Sequence, residues 1–242
     1  MVHLKQHSTS LFLLHFHMIK TQDYFNRQIQ LWGEETQSSL TSKKIAIIGS
    51  GGLGCSLALA LGTSGIGQID MVDFDTVGLH NIHRQVAFTL KDENRLKAEV
   101  TVEMMEAKNP FVKATAHTID FEAFTKLENS YDLILDATDN LPTREAIDKY
   151  AREQNTPWIY ASVEEFNGQV CFFDKASFQV FNISDHKPGG ITAPIVMHIA
   201  SLQANLALRY LAGLSVIKDK LYYLYFNSDG ELITQKFGMP TA

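Results

Sequence analysis

Gly49-Ser50-Gly51-Gly52-Leu53-Gly54 spells G-x-G-x-x-G between two apolar stretches. Glycines in such a turn let the backbone approach a phosphate chain. A helix starting there offers unpaired N–H groups and a partial positive charge. A plain strand-to-helix turn has the same form, and only the flanking strand and helix give the pattern its meaning. Asp73 ends the next apolar run, where a carboxylate can accept hydrogen bonds from both ribose hydroxyls. Asp75 points the same way if the strand continues. At this level Gly49, Gly51, Gly52, Gly54, Asp73 and Asp75 serve NAD and ATP equally well.

Asn81, Arg84 and Lys97 come next, followed by Asp139-Asn140 at the exit of a later apolar run. Hydride transfer needs no such set, but adenylyl transfer does. The attacking carboxylate, the α-phosphate and the departing pyrophosphate are all anionic, so approach is repulsive until Arg, Lys and Mg²⁺ neutralise the phosphates. Arg84 and Lys97 can supply the cations, and Asp139 can hold the metal. A peptide's terminal carboxylate is already ionised at neutral pH, so no general base is required. Taken singly, each residue also has an ordinary role. Arg84 and Lys97 read as solvated surface charges, Asp139 and Asn140 as helix caps. Their joint placement at strand exits on the glycine-loop side favours the chemistry.

Positioning these residues requires alternating strands and helices. Strands are expected over residues 44–48, 68–73, 112–118, 131–136 and 158–161. Helices are expected over residues 53–63, which are apolar all round and therefore buried, over residues 95–108, and from Pro142 to about residue 155. The pattern then changes. Residues 169–173 and 178–183 read as strands with no long helix between them. Residues 193–211 form an amphipathic helix, and residues 221–227 and 231–237 flank Ser228-Asp229-Gly230, a hairpin signal. The expected fold class is α/β: a Rossmann-like doubly wound sheet with a parallel N-terminal half and antiparallel C-terminal strands. Residues 21–242 read as a single nucleotide-binding domain. Residues 1–20 read as an extension outside the core, with Met18 an alternative start; they lack the apolar length and cleavage site of an export signal.

The composition narrows the function classes. With 27 acidic against 21 basic residues the formal charge is −6, which gives no general attraction to a nucleic-acid backbone. An apolar content of 45% excludes intrinsic disorder. No apolar run is long enough to span a bilayer. The two cysteines, Cys55 and Cys171, form no C-x-x-C pair, so a structural zinc is not expected, and a reducing cytoplasm fits their scarcity.

The ordered set of motifs resembles the ThiF/MoeB/HesA family, bacterial relatives of ubiquitin-activating enzymes. It is carried by Tyr24-Phe25-Asn26-Arg27-Gln28-Ile29, Leu31-Trp32-Gly33, the glycine loop, Asp73-Phe74-Asp75-Thr76-Val77, Asn81, Arg84-Gln85, Lys97, Thr138-Asp139-Asn140, Gly168-Gln169 and Ser201-Leu202-Gln203-Ala204. The resemblance implies ATP-dependent adenylation of the C-terminal glycine of a small ubiquitin-like sulfur carrier with a Gly-Gly end, in molybdopterin or thiamine biosynthesis. It places Gly52 against the nucleotide and Asp73 on the ribose. It sets Asn81, Arg84 and Lys97 on the phosphates and Asp139 on Mg²⁺. It also implies a homodimer in which Arg27 reaches the neighbouring subunit's phosphates. Two features depart from the family. The zinc-binding cysteine pairs of many relatives are missing, and the loop Asp185-His186-Lys187-Pro188-Gly189-Gly190 has no thiol for a covalent sulfur step. An NAD-dependent oxidoreductase, a non-catalytic relative and a tRNA-modifying relative are the competing readings.

Overall fold

A computed structural model of the chain describes residues 19–181 and 189–240. Most of the expected N-terminal extension, and Asp185 to Pro188 of the thiol-free loop, lie outside the described residues.

Five strands form the parallel half: β1 (Lys44–Ile48), β2 (Gln68–Val72), β3 (Lys113–His117), β4 (Leu133–Asp136) and β5 (Trp158–Glu164). Three more, β6 (Asn167–Phe173), β7 (Lys220–Phe226) and β8 (Leu232–Gly238), run antiparallel to their neighbours. All eight make one sheet in the order β3-β2-β1-β4-β5-β6-β7-β8. The chain starts in the middle and winds outward first one way, then the other. That reversal lies between β1 and β4, and open sheets of this kind bind ligands in the crevice outside the carboxyl ends of their strands at such a point.

The sheet is covered on both faces. Helices α1 (Thr21–Tyr24) and α2 (Asn26–Ser39) precede β1, and α3 (Gly52–Leu61), α4 (Lys97–Lys108), α5 (Phe121–Thr125), α6 (Leu141–Glu153) and α7 (Ala193–Leu211) follow in chain order. Strand side chains alternate between faces. On β1, Ile45 and Ile47 therefore enter a core shared with Leu57, Leu61, Met105 and Ile199 of α3, α4 and α7. Ala46 and Ile48 enter a second core with Phe121, Phe124 and Ile147 of α5 and α6. A strand covered on both sides must be apolar at nearly every position, and β1 is. Helix α3 buries Leu53, Cys55, Leu57, Ala58 and Leu61, as its all-round apolar character requires. Among the described residues no helix is long and apolar enough to cross a membrane.

One expected strand is corrected. In place of a strand over residues 178–183, Phe178–Val180 forms a 3-10 turn. Ser177 Oγ accepts from the Gln179 N–H at 3.2 Å and turns the chain. Phe178 and Phe181 then pack on Tyr160, with centroid distances of 5.3 and 5.6 Å. Aromatic density there reflects packing of a turn and not a ladder. Residues 182–183 lie outside the described residues. The short α5 is too brief to show a period in the sequence, but Asp120 caps it by accepting from the Ala123 N–H at 2.7 Å.

Candidate nucleotide site

The glycine loop occupies the crevice. Gly49 leaves β1 with φ +99°, a conformation L side chains rarely adopt, and a Cβ there would lie 2.6 Å from the Ala137 carbonyl oxygen. Gly54 sits under the loop; its Cβ would collide with the Gly49 carbonyl, so only glycine lets α3 seat this close. At Gly52 a Cβ would meet Val196 of α7 at 2.7 Å. Gly51 is different, since a Cβ there would find only Gln85 Nε2, at 3.7 Å. Three glycines are thus packed against protein, and Gly51 alone has room for a Cβ without a clash.

Asp73 ties the loop to the end of β2. Its Oδ2 accepts from the Ser50 N–H at 2.6 Å and its Oδ1 from the Asp75 N–H at 2.8 Å. Burial pushes its carboxyl above the usual carboxylate range, against those two hydrogen bonds and nearby Lys97. Asp75 is engaged by Lys97: its Oδ2 lies 2.8 Å from Nζ, and its backbone oxygen accepts from the Lys97 N–H. Lys97 is therefore no solvated surface charge. Its side chain is 10% exposed, against 55% for Asp75.

Asn81 is buried in the 3-10 turn Leu79–Asn81, where its Oδ1 accepts from the Gly78 N–H at 3.0 Å. Its backbone oxygen receives the N–H groups of Arg84 and Gln85. This brings the Arg84 carbonyl to 3.4 Å from the position of a Cβ on Gly52. The Arg84 guanidinium donates to the His80 carbonyl at 2.9 Å and lies 2.9 Å from His83 Nε2. Gln85 beside it is buried, and among the described residues its Oε1 has no hydrogen-bond partner. A buried amide oxygen without a donor is costly, and this one belongs to the side chain that borders Gly51.

On the far side of the crevice, β4 ends at Asp136. Asp139 is exposed, with no hydrogen bond or ion pair to any described residue. Asn140 performs the ordinary role, capping α6 by accepting from the Thr143 N–H at 3.0 Å. Asp136 itself is fully buried against Arg144, whose Nε lies 3.1 Å from Oδ2. Burial pushes the Asp136 carboxyl up, while Arg144 and Thr138 pull the other way.

Arg27 does not join this group. Helix α2 is anchored where Gln28 and Gln37 donate to the Ser64 carbonyl at 3.0 and 3.1 Å, past the C-terminus of α3. The glycine loop is at the other end of α3, ten residues or about 15 Å away. Arg27 is exposed there and donates to Gln30 Oε1 at 3.2 Å.

The site residues are legible in the sequence as types, but three structural partners are not. Gln85 follows Arg84 in the motif with nothing in its type to mark a role. Gln203 shows a signal, an amide on the apolar stripe between Ile199 and Ala207, both fully buried. Arg144 shows none, since either arginine of the largely polar α6, Arg144 or Arg152, looks solvated in the sequence. Among the described residues no three His, Cys, Asp or Glu side chains cluster as a metal cage. Magnesium fits the oxygen donors present, because it is commonly held by one or two carboxylates together with substrate phosphates. ATP fits the open face at Gly51, the orphaned Gln85 oxygen and the buried Lys97 cation.

Comparison with known proteins is consistent with this geometry. The chain is 32% identical over 211 residues to the sulfur carrier protein ThiS adenylyltransferase of Escherichia coli K12, covering 81% of this chain and 84% of the relative. It is 34% identical over 155 residues to a sulfur carrier protein adenylyltransferase of Thermus thermophilus, covering 62% of this chain and 57% of that one. Against several curated relatives the chain spans only 46–57% of their length. Among solved structures, E. coli MccB in its ATP complex superposes with a TM-score of 0.79 at 22% identity, over 92% of this chain and 73% of that one, a likeness of fold. The ThiF family model matches residues 25–237, from the aromatic before Asn26 to the last strand. With that match spanning the glycine loop, Asp73, Lys97 and Asp139 together, the chain belongs to the ThiF family.

Proposed function

We propose that this protein is an ATP-dependent adenylyltransferase that activates the C-terminal glycine of a small ubiquitin-like sulfur carrier. The observation that carries the reading is the set of groups gathered at the strand ends around the glycine loop: room for a ligand beside Gly51, an orphaned Gln85 oxygen, a buried Lys97 cation and, among the described residues, an Asp139 carboxylate with no hydrogen bond or ion pair. The relatives named as sulfur carrier protein adenylyltransferases support the substrate class. In this reading the carrier's terminal carboxylate oxygen attacks the α-phosphorus of ATP. The bond from that phosphorus to the bridging oxygen breaks, and pyrophosphate departs with its electron pair. No proton moves, so no base is needed. Asp73 orients the ribose, Asn81, Arg84 and Lys97 hold the phosphates, and Asp139 holds Mg²⁺, which neutralises phosphate charge when bound. Asp75 holds Lys97 until the nucleotide arrives. A nicotinamide oxidoreductase would leave Lys97 and Asp139 without a purpose.

We further propose a homodimer with shared sites. Arg27 lies about one helix length from its own glycine loop and is exposed, with the 73%-exposed Leu31 one turn further along α2. A second copy would use the arginine and cover the leucine. The cytoplasm is the compartment we assign to the reaction. Sulfur delivery falls to another protein, because Cys55 and Cys171 are both fully buried.

The test is carrier-dependent exchange of labelled pyrophosphate into ATP. Asp139→Ala and Arg84→Ala should each lower exchange by at least about 10²-fold without unfolding the protein. Wild-type exchange in both folded variants would refute the assigned roles.

A further inference from the structure

Strands β4 and β5 pair only at Ile134↔Trp158 and Leu135↔Ile159. Beyond that point they part, and two side chains fill the gap. Gln203 of α7 donates through Nε2 to the Asp136 carbonyl at 2.8 Å and to the Ile159 carbonyl at 2.9 Å, one on each strand. Arg144 of α6 enters from the other face. Its Nε donates to Asp136 Oδ2 at 3.1 Å, and its Nη2 donates to the Thr138 carbonyl at 2.7 Å and the Ala161 carbonyl at 3.4 Å. The guanidinium also lies over the Tyr160 ring, 5.2 Å from its centroid. Asp136 Oδ1 completes the knot, accepting from Thr138 N at 2.9 Å and Thr138 Oγ1 at 2.6 Å. Carbonyls that a continued ladder would have satisfied are met instead by two side chains from opposite layers.

Stability alone does not call for this arrangement, since buried ion pairs are often replaceable by apolar residues at no cost. What the arrangement does is clamp Thr138 from three directions. Asp139, the next residue, has no hydrogen bond or ion pair with any described residue, so its direction is set by its neighbours: the clamped Thr138 on one side and Asn140, the cap of α6, on the other.

We propose that Arg144 and Gln203 are positioning residues that hold β4 and β5 apart and aim Asp139 at the metal-bearing phosphates. The proposal rests on the adenylyl-transfer reading above. Oriented second partners of a metal ligand are typically worth about 10–100-fold in metal affinity or activity.

The experiment is calorimetric titration of full-length protein with ATP, with and without Mg²⁺, on wild type, Arg144→Lys and Gln203→Met. Thermal unfolding checks the fold and pyrophosphate exchange supplies kinetics. The expected result is unchanged metal-free ATP affinity, about 10–100-fold more Mg²⁺ for half-maximal enhancement, and a lower kcat at unchanged KM for the carrier. Folded variants with the wild-type Mg²⁺ requirement overturn the proposal. So do variants that lose ATP affinity equally with and without Mg²⁺, which is the mark of a structural role. If Arg144→Lys does not fold, Gln203→Met decides alone. A wild type whose ATP binding ignores Mg²⁺ instead defeats the adenylyl-transfer reading, and this proposal with it.

Discussion

Replacing Lys97 with methionine separates stability from chemistry at a single atom. The stem of Lys97 is buried at the start of α4, and methionine preserves most of that packing. The charge is lost, along with its 2.8 Å pair to Asp75. Asp75 is 55% exposed, so water can take over its solvation, and a pair this open contributes about 0–1 kcal/mol. For a domain of this size that moves Tm by no more than about 4 °C. The chemical cost is of another order. A cation about 4 Å from a phosphate oxygen, at an effective dielectric constant of about 20, is worth about 4 kcal/mol, or about 10³-fold in rate. The assays are differential scanning fluorimetry and pyrophosphate exchange on the same preparation. A folded Lys97→Met enzyme with near-normal exchange would refute the electrostatic argument. A fall in Tm well beyond the stated range would show that Lys97 is chiefly structural.

Other consequences can be measured in the same way. Gly54→Ala forces a Cβ into the Gly49 carbonyl and should lower stability by about 1–3 kcal/mol or more. Gly51→Ala meets only an ordinary van der Waals contact with Gln85 and should leave Tm alone while weakening ATP binding; normal binding would show that Gly51 does not face the ligand. Cys55 and Cys171 are fully buried, and burial pushes the Cys55 thiol up to about 12 and the Cys171 thiol upward as well, so neither should label with a thiol reagent at neutral pH in the native protein. Rapid native-state labelling would reopen a covalent sulfur step. Asp73 must be ionised to accept from both ribose hydroxyls. Burial holds its pKa up, so ATP affinity should be full above the raised value. It should fall as pH drops through that value, starting above the usual carboxylate midpoint of about 4. Titration of wild type against Asp73→Asn tests this, because the variant's affinity should be low and lack that pH step.

Much of the architecture was legible because it depends on local pattern. The apolar run of β1, the glycines after it and the all-apolar α3 each state their own conformation, and the sheet's parallel and antiparallel halves follow from alternation giving way to hairpins. The turn at residues 178–180 was not legible, because Phe178 and Phe181 are apolar for packing against Tyr160 and not for pairing in a ladder. Types of site residue were legible as well: Asp73 suits ribose hydroxyls, Arg84 and Lys97 suit phosphates by charge, and Asp139 suits a metal ion.

Commitment of each charge is a tertiary matter. Only the fold binds Lys97 to Asp75, leaves Asp139 with no hydrogen bond or ion pair among the described residues, and sets Arg27 at the far end of α3 from its own chain's glycine loop. The ordered residue types were enough to predict a nucleotide site, because glycine conformation and ionic charge belong to the residue itself. Which charges are already neutralised, and which still face outward, depends on distances between segments far apart in the chain. Those distances exist only once the parallel sheet has brought the ends of β1, β2 and β4 side by side.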